Sequence, residues 1–223
     1  MKKSGIERSV LVSIPWVSRD LCSENNTYIL TVAKNHECFR AICSIQPRCR
    51  GWQDEADQCL SEGAVGLKVN PAWQGFDLDG DEMDGLAEYV RGKNRVLMVH
   101  VDHPYKKSRA SAYQLLNFVG KHPHTRILAT HMGGLLGLYS NLTGISDLVK
   151  NLWFDTAVSS TLQFVRFYVE TGMKEKLVFG TDFPFNHSHS QEQVVRDLQS
   201  LNLGSATEQA VFHDNGQTLF AEA

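Results

Sequence analysis

The sequence lacks the features that mark membrane, secreted and nucleic-acid-binding proteins. Its 223 residues contain no apolar run close to the roughly 18 residues that a membrane helix needs. The opening stretch, MKKSGIERSVLVSIP, has two lysines but no apolar signal-peptide core, which predicts a cytoplasmic protein. The net charge of −3 and the pI near 6.3 provide no positive field to hold nucleic acid or an anionic membrane. We therefore expect neither nucleic acid nor a membrane as a partner.

Cysteine is scarce, and its spacing has no recognisable pattern. The chain has five cysteines, all within its first 59 residues and none of them in a CxxC pair: Cys22, Cys38, Cys43, Cys49 and Cys59. This spacing matches no zinc module, and an odd number leaves one thiol unpaired. We interpret them as reduced, mostly buried thiols, which also fits the cytoplasm.

Short apolar runs alternate with amphipathic stretches along the whole chain. Seven runs predict strands, at 9–14, 39–46, 64–69, 95–101, 125–131, 152–157 and 176–182. The stretches between them predict helices, at 21–35, 53–62, 80–92, 108–121, 135–150, 160–172 and 190–202. Such strict alternation indicates an α/β fold with a parallel sheet and helices outside it. No linker or charge block divides the sequence, so we expect one domain over residues 1–223.

Two α/β architectures fit this alternation, an open doubly wound sheet and a TIM-type (β/α) barrel, for which seven units is one short of eight. Polar residues favour the barrel. Five of them lie at or near the ends of predicted strands: Lys68, His100, His131, Asp155 and Asp182. A barrel brings these ends to one rim, whereas an open sheet with strands about 4.8 Å apart would spread them over roughly 25 Å. We therefore predict a TIM-type barrel.

Three of these residues have side chains suited to metal binding. His100 and His131 each close an apolar strand, in VLMVHVDHP and ILATHMGG, and Asp182 follows the strand in LVFGTDFPF. An acid at the end of a buried strand needs a cation or a hydrogen-bonding shell. Imidazole nitrogen and carboxylate oxygen are suitable ligands for zinc, iron or manganese. The pattern predicts a shared metal-type site.

Five motifs, in the same order along the chain, resemble those of the amidohydrolase superfamily. They are GAVGLKVNP, VLMVHVDHP, ILATHMGG, LVFGTDFPF and VFHDNGQTLF. Among its branches, the sequence is similar to the amidohydrolase-2 group of metal-dependent hydrolases and decarboxylases related to aminocarboxymuconate semialdehyde decarboxylase. The resemblance implies a distorted (β/α)₈ barrel with a divalent metal at its rim, with zinc expected first and manganese or iron as alternatives.

The resemblance also implies roles for individual residues. His100 stands at the fifth-strand histidine, a metal ligand, and Asp182 at the eighth-strand aspartate, which holds metal and carries the proton of the metal-bound water. His131 stands at the sixth-strand histidine, which binds a second metal or polarises the substrate. Asp182 and His131 are thus the catalytic candidates, and His100 and Asp182 the metal ligands. Lys68, His103 and Asp155 are added as candidates for substrate binding.

The sequence departs from the family at the first strand, where a His-x-His pair supplies two metal ligands. No HxH occurs here before residue 187, and the chain start matches the family's second-strand region. We therefore expect that the first barrel strand is missing, in a truncated form of a longer protein or in a product that lost half its metal site. His187 and His189 are a candidate substitute pair.

The function expected first is metal-dependent hydrolysis of a small organic substrate by a metal-activated water. A metal-dependent decarboxylase of the same family is the alternative within enzymes. A catalytically impaired barrel remnant that acts as a binding protein is the alternative from another class. Because a seven-stranded barrel leaves two strand edges unpaired, we also expect either a homodimer or the N-terminal residues to cover them.

Overall fold

A single sheet of seven parallel strands forms the centre of the computed structural model, which describes residues 1–104, 107–157, 159–185 and 190–221. The strands are β1 (Ser9–Val12), β2 (Phe39–Ser44), β3 (Ala64–Val69), β4 (Val96–Val99), β5 (Ile127–Ala129), β6 (Leu152–Asp155) and β7 (Leu177–Val178). Each strand pairs with the one before it in sequence, so the order in space is the order along the chain.

This strand order distinguishes between the two predicted architectures. In a doubly wound sheet the order reverses part-way along, whereas here it never does. Right-handed crossovers that always advance in one direction place their helices on one face, and the other face becomes the inner wall of a barrel. The prediction of a TIM-type barrel with seven recognisable βα units is therefore confirmed, in the form of a curled half-barrel.

Helices follow most of the strands. The α-helices are α1 (Arg19–Asn35), α2 (Trp52–Ser61), α3 (Pro71–Gln74), α4 (Asp81–Gly92), α5 (Ala112–Lys121), α6 (Val165–Glu170), α7 (Gln191–Gln199), α8 (Ser205–Gln209) and α9 (Asn215–Leu219). Short 3-10 segments cover Lys2–Ser4, His131–Tyr139, Ser159–Phe164 and Lys174–Lys176, and a π-helical turn, Ala210–Asp214, joins α8 to α9. None of the described helices is both long and apolar enough to cross a membrane. The cytoplasmic location stays a prediction.

Serine side chains fix the starts of three helices. Ser18, Ser111 and Ser190 accept hydrogen bonds from backbone N–H groups in the first turns of α1, α5 and α7. At α5, the side chain of Gln114 also accepts from the backbone of Ser111, which completes a capping box. Each cap satisfies a donor that the helix itself leaves open, and such a cap stabilises a helix by about 1 kcal/mol.

The predicted helix over 135–150 is wrong. The chain there continues the 3-10 segment His131–Tyr139, whose first five residues all have positive φ, and then forms turns. A Cβ at Gly133 would lie only 2.7 Å from the ring of Phe154 on β6. This segment is therefore fitted to the sheet by close approach of its backbone, which a helix with an apolar face would not permit.

Apolar side chains form two buried clusters on opposite faces of the sheet. The larger cluster lies between the strands and the helices, and includes Phe154. The smaller cluster lies on the inner face: Val96, Leu128, Trp153, Val178 and Leu219. Because alternate residues of a strand face opposite sides, Asp155 shares the inner face with Trp153. The inner wall is thus apolar near the strand starts and becomes polar towards the strand ends.

The carboxylate of Asp84 links α4 to the end of α5. Its Oδ1 lies 2.8 Å from Nε2 of His122, and its Oδ2 accepts from Nζ of Lys121 at 3.4 Å. Burial raises the pKa of Asp84, but these hydrogen bonds outweigh burial, so its pKa lies below the ordinary value. The ionised form is therefore the one that the fold stabilises.

We expect Asp84→Asn to lower the free energy of unfolding at pH 7 by about 1 kcal/mol. A lowered pKa means that this stabilisation is present above the unfolded-state pKa and is lost as the pH falls through the folded-state pKa. The difference from wild type should therefore vanish towards about pH 2 in urea denaturation. Glu88→Gln on the exposed face of α4 is the control, and an equal loss at both pH values would contradict a role for the charge.

Candidate active site

The candidate site lies at the carboxyl end of the sheet, which we call the rim. Lys68 is the last residue but one of β3, His100 directly follows β4, and His131 follows β5 after one intervening residue. Asp155 ends β6, and Asp182 comes shortly after β7. Because parallel strands all end at the same edge, the five residues that the sequence singled out for their strand-end position belong to one rim.

Lys68 is a buried cation that interacts with two carboxylates. Its side chain is 6% exposed, and burial lowers its pKa to about 8, opposed by the negative charges of Asp155 and Asp182. Burial likewise raises the pKa of Asp155 to about 6 and raises that of Asp182, opposed in both cases by Lys68. The three groups form one electrostatic cluster, in which opposite charges offset part of the penalty of burial.

The carboxylate of Asp155 also holds the backbone beside it. Its Oδ1 accepts hydrogen bonds from the backbone N–H groups of His131, at 2.7 Å, and Ala157, at 3.2 Å. His131 has a φ of 56°, in the left-handed region that costs a residue with a side chain energy unless its surroundings fix it. Asp155 therefore positions His131 as well as interacting with Lys68. Its predicted contact with substrate stays a prediction.

The imidazoles of His100 and His131 meet at the rim. Nδ1 of His100 lies 3.2 Å from Nε2 of His131, and Nε2 of His100 lies 3.5 Å from Oδ1 of Asp102. With the proton of His100 on Nε2, facing the carboxylate of Asp102, Nδ1 of His100 accepts a hydrogen bond from Nε2–H of His131. Nδ1 of His131 is then left with a lone pair. This nitrogen is buried and has no hydrogen-bond partner among the described residues.

His131 is kept neutral by its surroundings. Burial lowers its pKa well below the ordinary value, and the nearby charges of His100, Lys68 and His103 lower it further, against a smaller opposing effect of Asp102. The electrostatic influence of His103 on His131 places this predicted residue near the same cluster. A neutral imidazole with an open lone pair can accept a hydrogen bond or a proton.

Two residues that support the site were missed in the sequence. Asp102 accepts a hydrogen bond from the hydroxyl of Ser108 and lies beside His100. Its position two residues after a strand-end histidine was a usable signal. Tyr168 on α6 donates to the carbonyl of Met132 and accepts from the N–H of Gly137, so it fixes the segment that follows His131. A tyrosine within a helix gives no signal of such a contact.

An aromatic surface adjoins the imidazole pair. The ring of Trp73 stacks on His100 with 6.3 Å between centroids and an interplanar angle of 26°, and it is 56% exposed. The carboxamide oxygen of Asn70 accepts from the N–H of Trp73 and fixes the start of α3. Trp16, which follows β1, and Phe183, which follows β7, have exposed rings as well. Planar apolar surface is thus available to a ligand at the rim.

The donor set for a metal is incomplete in the part of the chain that the structure describes. There, no three His, Cys, Asp or Glu side chains form a group that could hold a metal ion. Both ring nitrogens of His100 already have partners, in His131 and Asp102, so a metal would have to replace one of these contacts. Asp182 offers a carboxylate, and the unpartnered Nδ1 of His131 is a further nitrogen. A catalytic zinc usually has three protein ligands. The predicted substitute pair, His187 and His189, lies outside the described residues.

Comparison with known proteins places these features in a family context. The sequence matches the family described as Amidohydrolase over residues 15–221, which is most of the chain. A search of curated protein sequences finds no significant match.

Several solved structures share the fold at low sequence identity. A 2,6-dihydroxybenzoate decarboxylase from Rhizobium is 15% identical with a TM-score of 0.81, over 99% of this chain and 85% of that one. A dihydroxybenzoic acid decarboxylase from Polaromonas, solved with manganese and 2-nitroresorcinol, is 18% identical with a TM-score of 0.81, over 99% and 83%. A probable 2-pyrone-4,6-dicarboxylic acid hydrolase from Acinetobacter baumannii, solved with citric acid, is 15% identical with a TM-score of 0.72, over 99% and 86%.

Proposed function

Because the chain belongs to the amidohydrolase family, we propose that it is an enzyme that decarboxylates a small aromatic carboxylic acid. The observation that carries this proposal is the buried ammonium of Lys68 beside the carboxylates of Asp155 and Asp182. A fixed cation attracts an anionic substrate, and a neighbouring acid can supply a proton. The family also contains hydrolases, and decarboxylases are among the solved structures that share this fold.

Each step of a decarboxylation has a suitable group at the rim. The ammonium of Lys68 attracts the negative charge of the substrate and stabilises charge that develops in the transition state. The bond between the substrate carbon and its carboxylate then breaks, CO₂ leaves, and the electron pair stays on the carbon. Asp182, which is only partly buried, gives a proton to that carbon and regains one from solvent.

The imidazole pair and the aromatic surface orient the substrate in this proposal. The open lone pair on Nδ1 of His131 accepts a hydrogen bond from a substrate hydroxyl. The contacts of His131 with His100, and of His100 with Asp102, keep that nitrogen unprotonated. The exposed face of Trp73 supports an aromatic ring. A small hydroxylated aromatic acid is therefore the substrate class that fits best.

The test is release of CO₂ from a panel of hydroxybenzoates and related acids, measured with the full chain in the presence of manganese or zinc. We expect turnover of at least one free acid and none of its methyl ester, because the ester has no carboxylate to lose. Turnover of esters, amides or lactones without CO₂ release would contradict the proposal and favour hydrolysis. No turnover in either class would favour the barrel remnant that only binds ligands.

Hydrolysis of a small organic substrate is the second candidate function. The unpartnered Nδ1 of His131 favours it, because this lone pair can accept a hydrogen bond from an attacking water and orient it. One of the solved structures that share the fold has the printed name of a probable hydrolase.

We further propose that a divalent metal binds weakly at the rim through His100 and Asp182, with zinc expected first and manganese or iron as alternatives. When bound, the metal would supply a Lewis acid at the rim. The incomplete donor set among the described residues predicts weak binding. After dialysis, we expect elemental analysis to find well under one metal per chain.

Metal titration tests the assigned ligands. We expect His100→Ala and Asp182→Asn each to weaken zinc and manganese binding by about tenfold or more. His213→Ala, which replaces an exposed histidine paired with Asp214, is the control and should bind metal as wild type does. Unchanged binding in both rim variants would contradict the assignment.

A further inference from the structure

The end of the barrel opposite the rim carries a cluster of basic side chains. Three of the last four strands are directly preceded by a cation: Arg95 before β4, Arg126 before β5 and Lys176 before β7. Asn151 precedes β6, and Arg91 lies in the last turn of α4. Because neighbouring strands lie about 4.8 Å apart, residues at these starts converge on one mouth of the barrel. We call Arg91, Arg95, Arg126 and Lys176 the basic cluster.

The basic cluster surrounds a cavity of about 420 Å³. Its wall includes the indole of Trp153, which belongs to the inner apolar cluster, so the cavity reaches the foot of the inner wall. Sites for small ligands usually measure about 300–1,000 Å³, so this cavity has room for one. No acidic side chain of the described residues lines it.

Neutral groups hold two of the cations in place. The guanidinium of Arg126 donates to the carbonyl oxygens of Leu219 and Ala221, at 3.1 and 3.4 Å, and to Oδ1 of Asn94, at 3.0 Å. Nζ of Lys176 lies 4.4 Å from the centroid of the Trp153 ring. These contacts fix the positions of two positive charges without neutralising them.

The charge of the basic cluster is not balanced by ion pairs. Within the described ranges, none of its four side chains forms an ion pair with a carboxylate. Glu175 acts electrostatically on Lys176 from the adjacent position in the chain, but it does not line the cavity. Four cations thus converge in a protein whose net charge is −3, so the cluster opposes the overall charge.

Helix ends account for only part of this arrangement. Arg91 lies at the carboxyl end of α4, where the helix dipole favours a cation. Each helix end contributes only about half an elementary charge, and its effect fades within one turn. Arg95 and Arg126 lie at strand starts, beyond the helix ends. Helix ends therefore do not balance the positive charges of Arg95 and Arg126 at the cavity, and negative charge from another source is needed to do so.

We propose that this cavity binds a small anion that carries a phosphate or sulfate group. Guanidinium groups present paired N–H donors that match the oxygens of such an anion, and Arg is well suited to this contact. The fixed positions of Arg126 and Lys176 reduce the entropy lost on binding. The site is separate from the rim and does not depend on the reaction proposed there.

The test is calorimetric titration of the full chain with inorganic pyrophosphate in a phosphate-free buffer of low ionic strength. We expect saturable binding that weakens as sodium chloride is added, because salt screens partly exposed charges. In the double variant Arg91→Gln/Arg95→Gln, and in Lys176→Gln, the dissociation constant should rise by about tenfold or more. Arg196→Gln on α7, which lies outside the cavity, should stay within about twofold of wild type. Sulfate in the same titration separates a general oxyanion site from one that requires phosphate.

Arg91 and Arg95 are the informative positions, because their side chains form no hydrogen bond or ion pair with the described residues. Replacing them therefore breaks no such contact. Their replacement should leave the denaturation midpoint close to that of wild type. No saturable binding up to about 10 mM pyrophosphate, a concentration that would reveal even weak affinity, would overturn the proposal. Equal weakening in Arg196→Gln and the cavity variants would also overturn it, since binding would then follow overall charge alone.

Discussion

Lys68→Met should lower kcat/KM of the proposed decarboxylation by about 100- to 1,000-fold, the usual effect of removing one group that stabilises transition-state charge. Methionine has a similar length and suits a buried position, so the barrel wall should keep its packing. The loss of the cation leaves Asp155 and Asp182 without their positive partner. Asp155, whose pKa is already raised to about 6, would then take up a proton and avoid an unpaired buried charge.

Steady-state kinetics with the acid identified in the CO₂ assay measure this effect, and circular dichroism checks the fold. The matched control is Lys93→Met, which replaces an exposed lysine paired with Asp57 at 2.6 Å and should leave kcat/KM within about twofold of wild type. A kcat/KM of Lys68→Met within about threefold of wild type would exclude Lys68 from the chemistry and remove the basis of the proposed function.

Gly137→Ala is expected to lower the free energy of unfolding by about 3 kcal/mol, at the upper end of the usual range for overpacking. A Cβ at this position would overlap one edge of the ring of Tyr168, a fully buried side chain. The ring cannot move away without breaking its hydrogen bonds to Met132 and Gly137. Since these contacts fix the segment after His131, activity at the rim should fall as well.

Urea denaturation measures the change. Gly85→Ala in α4 is the matched control, because no atom lies within 4 Å of its added Cβ and the backbone is helical. This variant should raise the free energy of unfolding by up to about 1 kcal/mol, the difference in helix propensity between the two residues. A loss below about 1 kcal/mol in Gly137→Ala would show that the ring shifts with little strain.

The sequence was sufficient to locate the strands and most of the helices, because buried parallel strands are apolar throughout and helices are apolar on one face. Except at β3, the apolar runs extend beyond the last residue of the strand. The run 125–131 became the strand Ile127–Ala129, since the chain leaves the sheet at Thr130 and turns left-handed at His131. The same left-handed turn, which includes Gly133 and Gly134, keeps residues 135–150 from forming the predicted helix. The close approach of this backbone to the sheet outweighs the apolar pattern of the sequence.

The candidate site was predictable to the extent that it depends on strand ends. Lys68, His100, His131 and Asp155 were found because position along a parallel strand determines which edge a residue reaches. The hydrogen bond from the backbone of His131 to Asp155, and the contact of Tyr168 with Met132, join residues far apart in sequence. Periodicity contains no information about such pairs. The basic cluster was also missed, although three of the four strand starts that line it have a cation in the same position.

The strand order has a further consequence for how the chain folds. Each strand pairs with its predecessor, so every pairing closes a loop of only about 23 to 30 residues. The entropy lost on closing a loop grows with its length, so pairing with the preceding strand costs less than pairing with a more distant one. The pairing of any two neighbouring strands therefore requires no part of the chain that follows them.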